Sequence, residues 1–372
     1  MSLIYNATFD KNTRKLSFED KAGNEIYSFT VPERAPTVDD ITKPLTFRAT
    51  QDNSSVKLTK FGSPSGAFQT SRDGGNTWTD YTIDTAIPLN TGDEVSFRAK
   101  ANRTSKQSRG NRFYFEMTGK IEAWHNVMSL YRTNDFATYN TLVESAFNSL
   151  FSGCTSLTKA PVLPSTTLAT DCYEFMFSGC QSLKKAPELP ATTLVYGCYS
   201  GMFQSCQSLT KAPELPATKL ADFCYYDMFD FCPSLTKAPE LPATTLSYRC
   251  YLRMFQGCRS LTKAPELPAT TLAPSCYSNM FYGCQSLTKA PELPATTLAQ
   301  NCYEYMFQNC QSLKEVRVSA TRTATDALKK WLSGVSATGD FYCNPNATIF
   351  PTGISGIPQN WTRHNIADYP TT

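Results

Sequence analysis

Histidine is nearly missing from this chain: its 372 residues hold two, His125 and His364. That leaves no nucleophile–histidine–acid set for covalent catalysis, and no zinc motif, whose ligands sit about two to four residues apart. A one-sided charge is missing too. There are 35 basic and 32 acidic residues, a formal net charge of +3, with no basic block. That balance argues against nucleic acid and against an anionic membrane as partner. No run of about 18 apolar residues occurs, so no transmembrane helix and no membrane insertion are expected. The opening stretch, MSLIYNATFDKNTRKL, lacks the apolar segment of a signal peptide. No cofactor and no metal site are expected. Apolar residues make up 41% of the chain, enough core material for two or three domains.

Residues 1–33 alternate as strands do, in LIYNATF, RKLSFED and EIYSFTV, with turns at Asp10-Lys11-Asn12 and Ala22-Gly23-Asn24. They read as a small β segment, and residues 34–44, with two prolines, as a linker. Residues 45–122 carry short strands between turn signals and predict a small β-sandwich. Within it, Ser71-Arg72-Asp73-Gly74-Gly75-Asn76-Thr77-Trp78 resembles an Asp-box. Its physics is a hairpin turn. Asp73 accepts turn N–H bonds, the glycines allow positive φ, and Trp78 packs beneath.

From residue 123 to 343 the chain is a repeat with degenerate ends, and 344–372 closes it. Six complete coils step by 26 residues, such as SLKKAPELPATTLVYGCYSGMFQSC at 182–206. Ala146, Phe147, Leu150, Phe151 and Cys154 form an atypical coil before them, and ATDALKKWLSGV (324–335) replaces the last. Atypical terminal coils are what an open-ended core requires.

The leucine-to-alanine part of each coil predicts a short strand that stops at Pro161 and its equivalents, because proline lacks a ladder donor. After a Pro-Ala-Thr-Thr-Leu bend, capped by threonine, the spacing predicts a helix. At 100° per residue, Leu168, Cys172, Tyr173, Met176, Phe177 and Cys180 fall on one arc of roughly 180°. Residues 170, 171, 174, 175 and 178 fall on the other arc, and there the six copies disagree with one another. The predicted fold class is therefore an α/β solenoid, a leucine-rich-repeat-like right-handed coil of strand–helix repeats. Lys159, Lys185, Lys211, Lys237, Lys263 and Lys289 form one column, and Glu188, Glu214, Glu240, Glu266 and Glu292 another three residues on. Like charges on neighbouring strands repel, and the opposite column alongside offsets this and fixes the register.

Thirteen of the 14 cysteines fall on two columns, 154 to 310 and 172 to 302, with Cys343 apart. On a helix, Cys172 and Cys180 would lie about 12 Å apart, beyond disulfide reach. They read as a ladder of small buried thiols.

The pattern LPATTLAxxCYxxMFxxCxSLTKAPE resembles the BspA-type leucine-rich repeats of Bacteroides, other gut bacteria and their phages and prophages, over about residues 145–318. The segment 331–365 resembles the closing piece that often follows such repeats, and the sandwich the piece that often precedes them. The resemblance implies a solenoid and recognition at a cell or virion surface, with a host protein or glycan as partner. Without a signal peptide, the reading favours a phage tail or fibre component whose residues 1–33 dock on other virion proteins. A bacterial cell-surface adhesin and a purely structural virion or scaffold protein are the alternatives. Oligomerisation is left open.

For a binder, the candidate residues are the aromatics and arginines at the variable outer positions: Phe175, Tyr196, Phe223, Tyr226, Phe231, Tyr248, Arg249, Arg253, Tyr282 and Tyr305. Exposed rings suit sugar stacking or protein contact, and arginine adds charge-assisted bonds. In arc-shaped solenoids the concave strand face is the other place a ligand uses. A glycosidase needs two carboxylates, but the glutamates form a periodic ladder unlike a site, so no enzyme is expected. If the cysteines are free, alkylation without reductant should label all of them after unfolding. Few labelled cysteines would mean disulfides.

Overall fold

The structure, a computed structural model, describes residues 6–10, 15–30 and 39–369. The chain divides into two compact units, Met1–Asp39 and Asp40–Thr372. The first holds an antiparallel sheet of β1 (Asn6–Asp10), β2 (Lys15–Glu19) and β3 (Glu25–Thr30), in that order. Asp20 makes the turn between β2 and β3, its carboxylate accepting from the N–H groups of Ala22 and Asn24. The rest of the expected 1–33 segment, and residues 34–38 of the expected linker, lie outside the described residues.

The second unit opens with a β-sandwich. Its strands are β4 (Thr46–Ala49), β5 (Ser54–Phe61), β6 (Phe68–Ser71), β7 (Thr79–Tyr81), β8 (Ile87–Leu89), β9 (Glu94–Ala99), β10 (Arg112–Thr118) and β11 (Ile121–Trp124). One sheet runs β10-β5-β8. The other runs β11-β4-β9-β6-β7 and continues into β12 (Leu157–Lys159), which pairs with β11 in parallel. Buried rings fill the space between the sheets, with Phe47 and Phe115 4.7 Å apart between centroids. The sandwich is thus joined to the repeats through one continuous sheet. The Ser71–Trp78 turn forms as its sequence dictates. Asp73 accepts from the N–H groups of Asn76 and Thr77, and Trp78 Nε1 donates to the Gly75 carbonyl. Arg98 lies 4.2 Å over the Trp78 ring.

The repeats form a solenoid, but not of strands and helices. The described residues contain no α-helix, so the strand–helix coil expected from the 3.6-residue period is corrected to a coil of successive turns. Every fourth residue there takes positive φ: Asp171, Phe175 and Gly179 in one coil, Gly197, Gly201 and Ser205 in the next. The hydrogen bonds follow an alternating rule. Cys172, Glu174, Met176, Ser178 and Cys180 donate to the carbonyl three residues back in their own coil. Asp171, Tyr173, Phe175, Phe177 and Gly179 donate to Tyr196, Cys198, Ser200, Met202 and Gln204 of the following coil. A helix would keep all these bonds internal. Over so short a segment, periods of 3.6 and 4 divide the residues between inside and outside in the same way. The apolar arc is therefore as expected, with Cys172, Tyr173, Met176, Phe177 and Cys180 buried, although the backbone is not.

The strand side is also reduced. In the middle coils only single parallel bridges remain, Lys185 to Lys211, Lys211 to Lys237 and Lys237 to Lys263. The proline two residues on ends each one. Longer strands return only at the C-terminal end. There β13 (Thr297–Leu298) pairs with β15 (Arg322–Thr323), and β14 (Glu315–Val318) starts a parallel sheet with β16 (Gly339–Cys343) and β17 (Trp361–Asn365).

Two ladders of parallel rings run through the core. Phe115, Phe151, Phe177, Phe203, Phe229, Phe255, Phe281 and Phe307 stack at 5.3–5.7 Å. Phe147, the six coil tyrosines from Tyr173 to Tyr303, and Trp331 stack at 5.8–6.2 Å. Spacings in this range with parallel planes are the offset arrangement that aromatic quadrupoles favour. All 14 cysteines are free and buried. The Cys206 thiol donates to the Phe177 carbonyl at 3.1 Å, and burial pushes its pKa up to about 12. The helical spacing that first pointed to free thiols does not apply, but burial leads to the same state. Far-ultraviolet circular dichroism of the folded chain should lack the double minimum of α-helix. A strong helical spectrum would overturn the turn-coil assignment.

Candidate functional site on the outer turn columns

The left-handed positions form three columns along the outside of the solenoid. Glycine, asparagine, aspartate and serine fill most of them, as sterics require. In the six complete coils the exceptions are Phe175, Phe223, Phe231, Arg249, Arg253 and Tyr305, at φ between 53° and 58°. All six are among the residues the sequence proposed. A side chain with a Cβ in this region costs about 1–2 kcal/mol. Glycine in the next coil makes room for one of them: a Cβ on Gly201 would come within 2.1 Å of the Phe175 ring.

Six of the ten proposed residues form one patch. Phe223 lies at its centre, 5.4 Å from Tyr196, 5.8 Å from Tyr226 and 5.4 Å from Tyr248, ring to ring. Arg249 sits 4.8 Å over the Tyr248 ring and 5.6 Å over that of Phe223. Arg253 donates to the Tyr226 hydroxyl at 3.2 Å. Tyr196 keeps 49% of its surface exposed and Tyr248 36%. Arg253 also borders a shallow depression of about 370 Å³ that includes Tyr282 and Tyr305. Asn309 donates to the Tyr282 hydroxyl, and Lys329 lies 5.5 Å over Tyr305. Phe231 and Phe175 stand apart. Phe231 is 51% exposed against Gly257, while Phe175 is half-buried under Arg109, which ion-pairs with the buried Glu174.

Beneath the patch lie two buried acids that the sequence reading missed, Asp227 and Asp230. Asp230 accepts from Gln204 at 2.9 Å and Gln256 at 3.0 Å, one from the coil on each side. Asp227 has an oxygen with no hydrogen-bond partner. Burial, and then repulsion from Asp230, pushes Asp227 up to about 7. A signal was present: Phe-Asp-Phe at 229–231, with Asp227 two residues before it, brings carboxyls to columns where the other coils have none. Among the described residues, no group of three or more histidine, cysteine, aspartate or glutamate side chains could hold a metal ion. No helix there is long and apolar enough to cross a membrane.

Because the fold favours neutral Asp227, the acid's contribution to stability is complete below the ordinary carboxyl range and is lost as pH rises through about 7. Thermal unfolding between about pH 4 and about pH 8 should show the wild type losing more stability than Asp227→Asn, whose amide stays neutral throughout. Parallel curves for the two proteins would rule out titration of this buried carboxyl.

No curated protein and no solved structure matches the chain. The model of the BspA type leucine rich repeat region matches in six copies, over residues 134–239 and 224–329, together more than half of the chain. The family is one of protein interaction and adhesion, and generally non-enzymatic. With its 26-residue period, stacked coils and capped ends, the chain belongs to the BspA-type leucine-rich-repeat family.

Proposed function

We propose that this chain is a non-catalytic adhesion protein that grips a protein or glycan of a cell surface with the outer face of its central coils. The observation that carries this reading is the patch of Tyr196, Phe223, Tyr226, Tyr248, Arg249 and Arg253. Tyrosine and arginine dominate the energetics of binding sites, because each covers apolar area while keeping a polar handle. Backbone conformation supports the same reading. Phe223, Arg249 and Arg253 occupy positions that glycine or asparagine would fill without strain, and strain retained at three residues of the patch supports its use.

Display requires a carrier. We place the protein on a virion, as part of a tail or fibre, with a bacterial surface as the alternative carrier. The separate N-terminal sheet would serve as the docking piece toward other virion proteins. A spacer or scaffold protein would need no such patch.

The test uses the full chain on intact bacterial and host cells, with a glycan array beside them. Tyr248→Ala and Arg249→Asn should each weaken binding by about tenfold or more. Arg249→Asn should melt at or above the wild-type temperature, since asparagine tolerates positive φ. Undiminished binding by both folded variants would remove the patch as the site. Failure of virion assembly alone would favour the spacer.

A further inference from the structure

The lysine and glutamate columns are exposed and alike through the middle coils, but not at the C-terminal end. Among the described residues, no ion pair joins Lys185, Lys211, Lys237 or Lys263 to a glutamate of the second column. At the last coils the closing segment turns back and brings Tyr369 over the columns. Its hydroxyl donates to Glu315, and its ring lies 5.0 Å from the Lys289 ammonium and 4.6 Å from the Arg317 guanidinium. Its edge rests on Tyr342, 4.8 Å away. The flat column becomes a cleft of about 590 Å³, lined by Lys263, Lys289, Arg317, Glu266, Glu292 and Tyr369 among others. That volume lies within the range of small-molecule sites, roughly 300–1,000 Å³.

The charges in the cleft are not equivalent. Lys289 is paired with Glu315 at 2.9 Å, and Arg317 with Glu292 at 3.2 Å. The Lys263 ammonium has no acid partner among the described residues, and Arg317 Nε is buried without a hydrogen-bond partner. The unpaired Lys263 ammonium thus offers its N–H donors to an anion in the cleft, beside the Arg317 guanidinium. The rest of the lining includes acceptors and hydroxyls, Glu266, Glu292, Thr262 and Thr288, beside the apolar Ala264, Ala290 and Pro291. Carboxylates beside a free cation suit a ligand that carries one acid group and several hydroxyls, and the cleft is far larger than a phosphate.

We propose that this cleft binds an acidic sugar residue, its carboxylate on Lys263 and Arg317 and its hydroxyls on Glu266 and Glu292. The site lies on the strand columns, so it stands independently of the outer patch. It needs the tertiary wall supplied by Tyr369, and the equivalent lysines elsewhere lack that wall.

Calorimetric titration of the full chain with glucuronate, galacturonate and N-acetylneuraminate tests it, with glucose, galactose and N-acetylmannosamine as neutral counterparts. At least one acid should bind saturably and at least about tenfold more tightly than its counterpart, weakening with added salt. Lys263→Ala and Tyr369→Ala should each reduce that affinity by about tenfold, with melting temperatures near wild type. Lys211→Ala, in the same column outside the cleft, and Tyr248→Ala, on the outer patch, should leave it unchanged. No saturable binding of any acid, equal binding of its counterpart, or an equal loss with Lys211→Ala would overturn the proposal.

Discussion

The structure depends on one hydrogen-bonding rule: along the turn columns, successive N–H groups donate alternately within the coil and across to the next. Five bonds of the second kind join the first complete coil to the second. Each contributes a net of roughly 0.5–1.5 kcal/mol, but a buried donor left without its partner costs more. No coil can therefore fold alone, and every coil is a template for its neighbour. The two ring ladders follow from this. Once the backbones are in register 26 residues apart, identical side chains must lie one above another, and phenylalanine, tyrosine and cysteine become continuous columns.

A template with open ends would keep growing or aggregate. Here each end is closed by different chemistry. At the N-terminal end β11 continues the strand ladder and Phe115 of β10 heads the phenylalanine column, so the sandwich is a cap as much as a domain. At the C-terminal end the tyrosine column passes through Trp331 to Phe350; Trp331 anchors its indole N–H on the Gly356 carbonyl, and Trp361 its own on Ser336. Only at this end does the closing segment also build a concave site, because Tyr369 projects over columns that elsewhere face solvent.

The same rule explains where variation is tolerated. Inward positions are held by stacking, so they repeat. At the outward left-handed positions the backbone asks for a residue that accepts positive φ and otherwise leaves the choice open. Coils three and four depart from that request most, with Phe223, Phe231, Arg249 and Arg253, and they also hold the buried acids Asp227 and Asp230. Strain, exposed rings and buried acids thus coincide in the middle of the solenoid, where both neighbours are complete coils.

The sequence by itself determined the 26-residue period, the inward set from Cys172 to Cys180, the atypical ends and the outer positions to watch. Each is a matter of which residue types recur at which spacing. It did not determine the backbone, because a nine-residue segment cannot separate a period of 3.6 from one of 4. The glycines, asparagines and aspartates spaced four apart were the available sign. Nor could it show that Tyr196, Phe223 and Tyr248 meet while Phe175 and Phe231 stand apart, or that Tyr369 closes a cleft over Lys263. Those are contacts between residues 25 to more than 100 positions apart, made only when the coils stack. Partners at that distance are chosen by the hydrogen bonds between coils, and so only the tertiary structure decided them.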